Sequence, residues 1–259
     1  MRLDISYLFM DPGGNRTILV ETLLAPADRK EAAAFLMAGE PSAEQAGFLS
    51  DCTDREITLT MAGGEFCGNA SMCAAAYCSR RAGKKEARIL VHASGVSDPV
   101  PVEIRQRASD VWAGRVSMPL PRSIGIYTFS DRTTVPLVRL PGISHVICEK
   151  QYEKKDAERL VKRWCRELKS DALGLMFLDE EAGRLTPLVY VPAADTLFWE
   201  NACGSGTAAV GAWMAAGLDR EVHLTLAQPG GTLSVTASKD RLLLEGEVRL
   251  LYRRRVSIS

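Results

Sequence analysis

The sequence has no long apolar run. Its longest apolar stretches fall well short of the ~18 residues that a membrane-spanning helix needs. Its opening, with Asp4 and then Asp11-Pro12-Gly13-Gly14, lacks a secretory apolar core. A cytoplasmic location and no membrane partner are the expectation. No charge of one sign predominates: Lys+Arg and Asp+Glu stand at 32 each, so no nucleic-acid partner is expected. The one basic run, Arg253-Arg254-Arg255, reads as the solvated end of a C-terminal strand. Histidine is scarce, with His92, His145 and His223 the three present, and no pair has zinc-finger spacing. The cysteines also lack the tight spacing of structural zinc and any Cys-x-x-Cys redox motif, so no metal is expected. An odd count of seven cysteines in 259 residues argues against a disulfide framework. The thiols are expected to be reduced, so a special cysteine is special for its reactivity.

Present instead is an ordinary globular composition, 46% apolar and 25% charged, and an internal repeat. Phe66-Cys67-Gly68-Asn69-Ala70-Ser71 and Ala202-Cys203-Gly204-Ser205-Gly206-Thr207 both read Cys-Gly, a small polar residue, a small residue and a hydroxyl. Each enters an Ala-rich stretch with an aromatic at the same offset, Tyr77 and Trp213, and then meets a glycine, Gly83 and Gly217. Gly95 and Gly231 stand equally far beyond their cysteines, and each precedes an alternating stretch, Val100-Pro101-Val102-Glu103-Ile104 and Leu233-Ser234-Val235-Thr236. The offset is about half the chain, so a duplicated domain is the economical reading.

Within each half a strand leads through a turn into a helix. Arg55–Thr60 alternates like a strand, Gly63-Gly64 is a turn, and a helix starts near Cys67–Asn69 and stops near Gly83. Leu188–Val191 is a strand, and a helix runs from about Gly204 to Gly217. Both helices are nearly free of charge and are expected to be buried all round. Surface helices are predicted at Asp28–Met37 and Glu153–Lys169. The fold class is α+β, with two pseudo-symmetric domains, each a curled, mostly antiparallel sheet around a central helix. The expected domains are 1–117, carrying Cys67, and 118–249, carrying Cys203. The linker is placed near Met118-Pro119-Leu120-Pro121, and a final strand at about 250–259 returns to the first domain.

Each repeat thus puts a cysteine at a strand-to-helix junction. Helix starts offer unpaired N–H groups and partial positive charge, a setting that lowers a thiol pKa. The small residues Gly68, Asn69, Gly204, Ser205, Gly206 and Thr207 let backbone N–H groups approach a carboxylate. Two such ends facing one another suit inversion at a carbon α to a carboxylate, with one thiolate removing the proton and the opposite thiol delivering one. Cys52, Cys73, Cys78, Cys148 and Cys165 lack this doubled context and read as packing.

These motifs resemble the two signatures of the diaminopimelate epimerase superfamily of cofactor-independent racemases and epimerases. The likeness extends to Asn15, to Glu44-Gln45, to Gly142-Ile143-Ser144-His145 and to Gln228-Pro229-Gly230-Gly231. It implies no pyridoxal phosphate, no other cofactor, no metal, a small-molecule amino-acid substrate and a homodimer. True diaminopimelate epimerases carry a Glu-Arg pair where this chain has Ala194 and Asp195, and Asn-Pro where it has Ile143-Ser144. The chain therefore looks more like the divergent histidine racemase branch, with diaminopimelate epimerase the alternative. Proline racemases usually have His where Asn69 stands, and the related dehydratases lack one Cys. The resemblance makes Cys67 and Cys203 the catalytic pair. Gly68, Asn69, Gly204, Ser205, Gly206 and Thr207 would hold the carboxylate, and Asn15, Glu44, Gln45, His145 and Glu200 the ammonium or side chain. Glu44 and Glu200 also suit a cap or a solvent-facing position, and His145 a structural role. Phe198 and Trp199 line a pocket or fill a core. A phenazine-type isomerase using Glu65 as its acid leaves both cysteines unexplained, and a non-catalytic amino-acid-binding protein is the rival from another class.

Overall fold

The computed structural model of the chain describes residues 3–258, with Ala194 described by its backbone only. The described residues are mostly sheet with four α-helices, and the chain divides into two compact units, one running to Ser117 and resuming at Glu245, the other spanning Met118–Leu244. The segment Met118-Pro119-Leu120-Pro121 carries neither strand nor helix.

The first unit runs β1 (Leu3–Pro12), β2 (Thr17–Val20), α1 (Pro26–Gly39), β3 (Gln45–Ser50), β4 (Glu56–Met61), α2 (Gly68–Arg81), β5 (Glu86–Ala93), β6 (Val100–Ala108) and β7 (Val111–Ser117). These strands neighbour one another in sequence order. The pairs β2–β3 and β4–β5 are parallel, and their crossovers are α1 and α2; the others from β1 to β7 are antiparallel. The last strand, β16 (Leu242–Ile258), follows β7 in the order and pairs antiparallel with β1 from Val248 to Ile258, which closes the sheet into a barrel. It begins earlier than the sequence suggested, and the expected Ser259 lies outside the described residues.

The interior of this barrel is α2, buried at every residue from Gly68 to Ser79. Small side chains make that possible: Ala74, Ala75 and Ala76 let strands approach the helix on several sides. Gly114 of β7 lies so close that a Cβ there would sit 2.9 Å from Met72 Sδ. The basic pair Arg80 and Arg81 falls in the last turn, where it meets solvent and favours the negative helix end.

The second unit runs β8 (Ser123–Thr128), β9 (Thr134–Leu140), β10 (Ile143–Cys148), α3 (Lys154–Leu168), β11 (Leu173–Asp179), β12 (Arg184–Val191), a 3-10 turn (Pro192–Ala194), β13 (Thr196–Trp199), α4 (Gly204–Leu218), β14 (Val222–Gln228) and β15 (Gly231–Ala237). Here too the parallel pairs, β10–β11 and β12–β14, are those whose crossovers contain the helices α3 and α4. The helix α3 buries Ala157, Val161, Trp164, Cys165 and Leu168 on one face and ends at Lys169 with φ +51°. Trp164 stacks on Phe129 at 4.1 Å between ring centroids. The strand side of α4 is packed as tightly as α2: a Cβ at Gly211 would meet Val235 Cγ1 at 2.7 Å. Its last turn departs from the expected all-round burial, since Ala216, Gly217 and Leu218 are exposed.

Candidate active site

The two Cys-Gly repeats fold into the same local structure, one in each unit. Cys67 is the N-cap of α2 at φ −132°, ψ 112°, and Cys203 the N-cap of α4 at φ −118°, ψ 106°. Each sulfur accepts from the backbone N–H three residues on, Ala70 for Cys67 and Gly206 for Cys203, at 3.4 Å in both. The hydroxyl that ends each motif donates back to its cysteine's carbonyl at 2.8 Å, Ser71 to Cys67 and Thr207 to Cys203. This explains why a hydroxyl recurs there. The N–H groups of Gly68 and Asn69, and of Gly204 and Ser205, fall in the first turns, where an α-helix has no internal acceptor for them. The side chain of Asn69 is buried, and its Oδ1 has no hydrogen-bond partner among the described residues.

The segments that lead into the cysteines are held from the far end of each repeat. Gly95, at φ +78°, lies so near the preceding loop that a Cβ would come 2.3 Å from Phe66 N. Ser94 Oγ donates to Glu65 O at 2.8 Å. The Glu65 side chain is exposed on that turn. In the second unit Gly230 N donates to Asn201 O at 2.8 Å. Cys203 N donates to Gln228 Oε1 at 2.8 Å, and Gln228 Nε2 donates to Thr207 Oγ1 at 2.9 Å. Gln228 thereby fixes both ends of the Cys203 turn. In the sequence Gln228 is marked only by its Gln-Pro-Gly-Gly run, and the signal for its role is a polar residue just before the turn that repeats Gly95.

The remaining candidates form two groups. In the first unit Asn15 Nδ2 donates to Glu44 Oε2 at 2.7 Å. Gln45 Nε2 contacts Asn15 Oδ1 at 2.5 Å and Thr17 Oγ1 at 2.8 Å. In the second unit His145 lies in β10 with no exposed surface, and its Nε2 is 3.0 Å from Ser205 Oγ. Ser205 Oγ is in turn 3.5 Å from Cys203 Sγ, so His145 is one residue removed from the thiol. Its ring packs against the backbone of Gly174 on β11, where a Cβ would stand 2.4 Å from Nδ1. Burial pushes the imidazole down to about 3, so it is neutral, and its Nδ1 has no partner among the described residues.

The helix start does not bring the Cys203 thiol below its ordinary range, as the sequence suggested it would. Burial, and after it the carboxylate of Glu200, push that thiol well above its ordinary range; Ser205 and Gly206 work the other way and are outweighed. Cys67 is the more exposed of the two. Phe198 faces solvent, whereas Trp199 is half-buried, stacks on Phe177 at 5.7 Å between centroids and donates to Glu158, so it packs against the core of the second unit. Asp195 is engaged by Lys162 at 3.3 Å and by the Tyr190 hydroxyl at 3.4 Å. The Ala194 side chain lies outside the described residues. Among the described residues no group of three His, Cys, Asp or Glu side chains comes together as a metal site would require, and no helix is long and apolar enough to cross a membrane.

Comparison with known proteins identifies what the chain is similar to. The family model described as the histidine racemase CntK N-terminal domain matches residues 4–251. A histidine racemase of Staphylococcus aureus is 31% identical over 91% of this chain and 89% of its own length. One from Fusobacterium nucleatum is 29% identical over 98% and 97%. Among solved structures, one described as a predicted epimerase from Pseudomonas aeruginosa superposes with a TM-score of 0.71 at 17% identity, covering 98% of this chain and 100% of that one.

Proposed function

We propose, from the premise that the chain belongs to the histidine racemase family whose model spans residues 4–251, that it racemises histidine with Cys67 and Cys203 as its acid and base. The chain is an isomerase of the racemase and epimerase type; substrate and mechanism are the parts proposed. The observation that carries the reading is the doubled cap, with the same sulfur-to-backbone and hydroxyl-to-carbonyl contacts at both cysteines.

In this reading the units are two pseudo-symmetric domains that offer one sulfur to each face of the substrate's α-carbon. The α-carboxylate is held by the N–H groups of the first turns, at Gly68 and Asn69 and at Gly204, Ser205 and Gly206, with Thr207 fixing the second turn. Donors already in place are worth most when charge spreads into the carboxylate as the α-proton leaves. One thiolate takes that proton while the opposite thiol gives its own to the other face. The net result is an inverted carbon and exchanged protonation of the two sulfurs.

Charge supplies a reason for the timing. The Glu200 carboxylate helps hold Cys203 protonated in the free protein. An α-ammonium placed beside Glu200 would offset that charge and ease ionisation of the thiol when substrate is bound. The Asn15–Glu44–Gln45 group supplies further acceptors for an ammonium or an imidazole. His145 acts through Ser205 as a positioning residue. Asp195, standing where diaminopimelate epimerases have part of their Glu-Arg pair, is occupied by Lys162 and Tyr190, which favours histidine over a substrate with a second amino-acid end.

The test is to incubate purified protein with single L-amino acids, including histidine and LL-diaminopimelate, and to resolve enantiomers by chiral chromatography. D-Histidine should accumulate to equality with L-histidine. Turnover of diaminopimelate alone, or of no amino acid, would overturn the assignment.

A further inference from the structure

Cys52 and Cys78, both read as packing from the sequence, share one acceptor. Cys78 Sγ donates to Thr53 O at 2.8 Å, and Cys52 Sγ donates to the same oxygen at 3.6 Å. Cys78 lies in the penultimate turn of α2 and is buried; Cys52 lies in the loop between β3 and β4 and is half-exposed. We infer that Cys52 and Cys78 are a disulfide-forming pair that reacts with a carboxylate-bearing low-molecular-weight disulfide. The inference goes beyond the racemase reading and does not rest on it.

The surroundings favour this exchange in three ways. First, the sulfurs differ in access, so a disulfide reagent reaches Cys52 and not Cys78. Second, burial, then the negative charge of Cys52, push Cys78 up to about 12; a mixed disulfide at Cys52 removes that charge, so Cys78 ionises more readily for the second attack than in the reduced protein. Third, the charge of Arg81 acts on both thiols, and Arg81 borders a cavity of about 690 Å3 lined by Glu21, Tyr77, Arg80, Arg81 and Arg253. Arg80 is paired with Asp110 and Arg253 with Glu21, while Arg81 donates to the neutral Tyr77 hydroxyl at 3.3 Å. A cation beside a reactive thiol attracts a reagent that carries carboxylates.

The chemistry balances without further reagents. The Cys52 thiolate attacks one sulfur of the small disulfide. The old S–S bond breaks and one small thiol leaves, taking up the proton that Cys52 gave up. The Cys78 sulfur then attacks Cys52, its proton goes to the second departing thiolate, and the Cys52–Cys78 bond forms. Two protein thiols are oxidised by two electrons, and one small disulfide is reduced to two thiols. The bond would tie the loop after β3 to the helix that begins at Cys67.

The reduced full-length protein is treated with oxidised glutathione at mildly alkaline pH, alkylated, digested without reduction and mapped by fragmentation mass spectrometry. The expected product joins Cys52 to Cys78, is released by dithiothreitol, and forms faster than with the uncharged bis(2-hydroxyethyl) disulfide. Cys78→Ser should instead retain glutathione on Cys52, and Cys52→Ser should leave Cys78 alkylatable. Cys52 carrying glutathione in the unmutated protein beside a free Cys78, Cys52 joined to another cysteine, or equal rates with the two disulfides would overturn the inference.

Discussion

Around Cys203 the balance of burial and charge decides when the sulfur ionises. After burial, Glu200 is the largest influence, and it keeps the thiol protonated above the ordinary value of 9.0. Glu200→Gln removes that charge and leaves the burial in place. Alkylation of Cys203 by iodoacetamide, followed against pH by peptide mapping, should then begin at lower pH than in the unmutated protein. An unchanged onset would show that the carboxylate does not act on the sulfur. His145 makes a second prediction. Its ordinary pKa of 6.5 falls to about 3 in the fold because burial disfavours the charged ring. The unfolded chain therefore binds the proton first. The stability it contributes is complete above pH 6.5 and is lost as pH falls from there toward 3, at about 1.4 kcal/mol per pH unit. Urea unfolding should show a loss of stability that sets in near pH 6.5 and approaches that slope by about pH 5, and His145→Asn, which cannot titrate, should flatten it.

At the scale of elements, the helix starts were legible because a Cys-Gly turn, a small residue and a back-bonding hydroxyl were written twice. The strand β4 was legible for a similar reason, since its alternation matches a face that is buried at Ile57, Leu59 and Met61. The end of α4 was not legible: Trp213-Met214-Ala215-Ala216-Gly217-Leu218 carries no charge to mark it as surface. Nor was the role of the basic run. Arg254 is not merely solvated; it meets Glu40, the C-cap of α1, at 3.0 Å. The hydroxyls of Tyr7 and Tyr252 also donate to Glu40, each at 2.6 Å. Burial alone would raise that carboxyl, but the two tyrosines and Arg254 outweigh it and hold it low. Tyr252 stands 212 residues from Glu40 in sequence, beyond the reach of any periodicity. Glu40→Ala strands the buried Tyr7 hydroxyl and should cost about 1–3 kcal/mol in chemical denaturation. Gly206 makes a sharper prediction. A Cβ there would stand 2.1 Å from Met176 Sδ and 3.2 Å from Cys203 Sγ. Gly206→Ala should therefore destabilise by about 1–3 kcal/mol and should depress turnover even where the protein is fully folded, because the sulfur must move.

For the whole molecule, the repeat carried most of what sequence alone revealed. It fixed the two cysteines and the helices behind them. It did not reveal which polar residues gather near each. The grouping of Asn15 with Glu44 and Gln45 depends on the pairing of β2 with β3, and that of His145 with Ser205 on the packing of α4 against β10. Gln228 was visible only as part of a turn. Substrate was the least legible property, resting on what stands at Ile143, Ser144, Ala194 and Asp195 and not on a positive signature for imidazole. The two-thiol mechanism is the central claim, and proton NMR of L-histidine in D2O tests it most directly, run with the unmutated protein and with Cys67→Ser and Cys203→Ser. The account predicts that the α-proton signal disappears as solvent deuterium is incorporated and D-histidine forms. It also predicts that each single variant lowers racemisation by at least the roughly 10²–10⁴-fold that a positioned acid or base supplies. Racemisation that survives in either variant at the unmutated rate, or an α-proton that never exchanges, would contradict it.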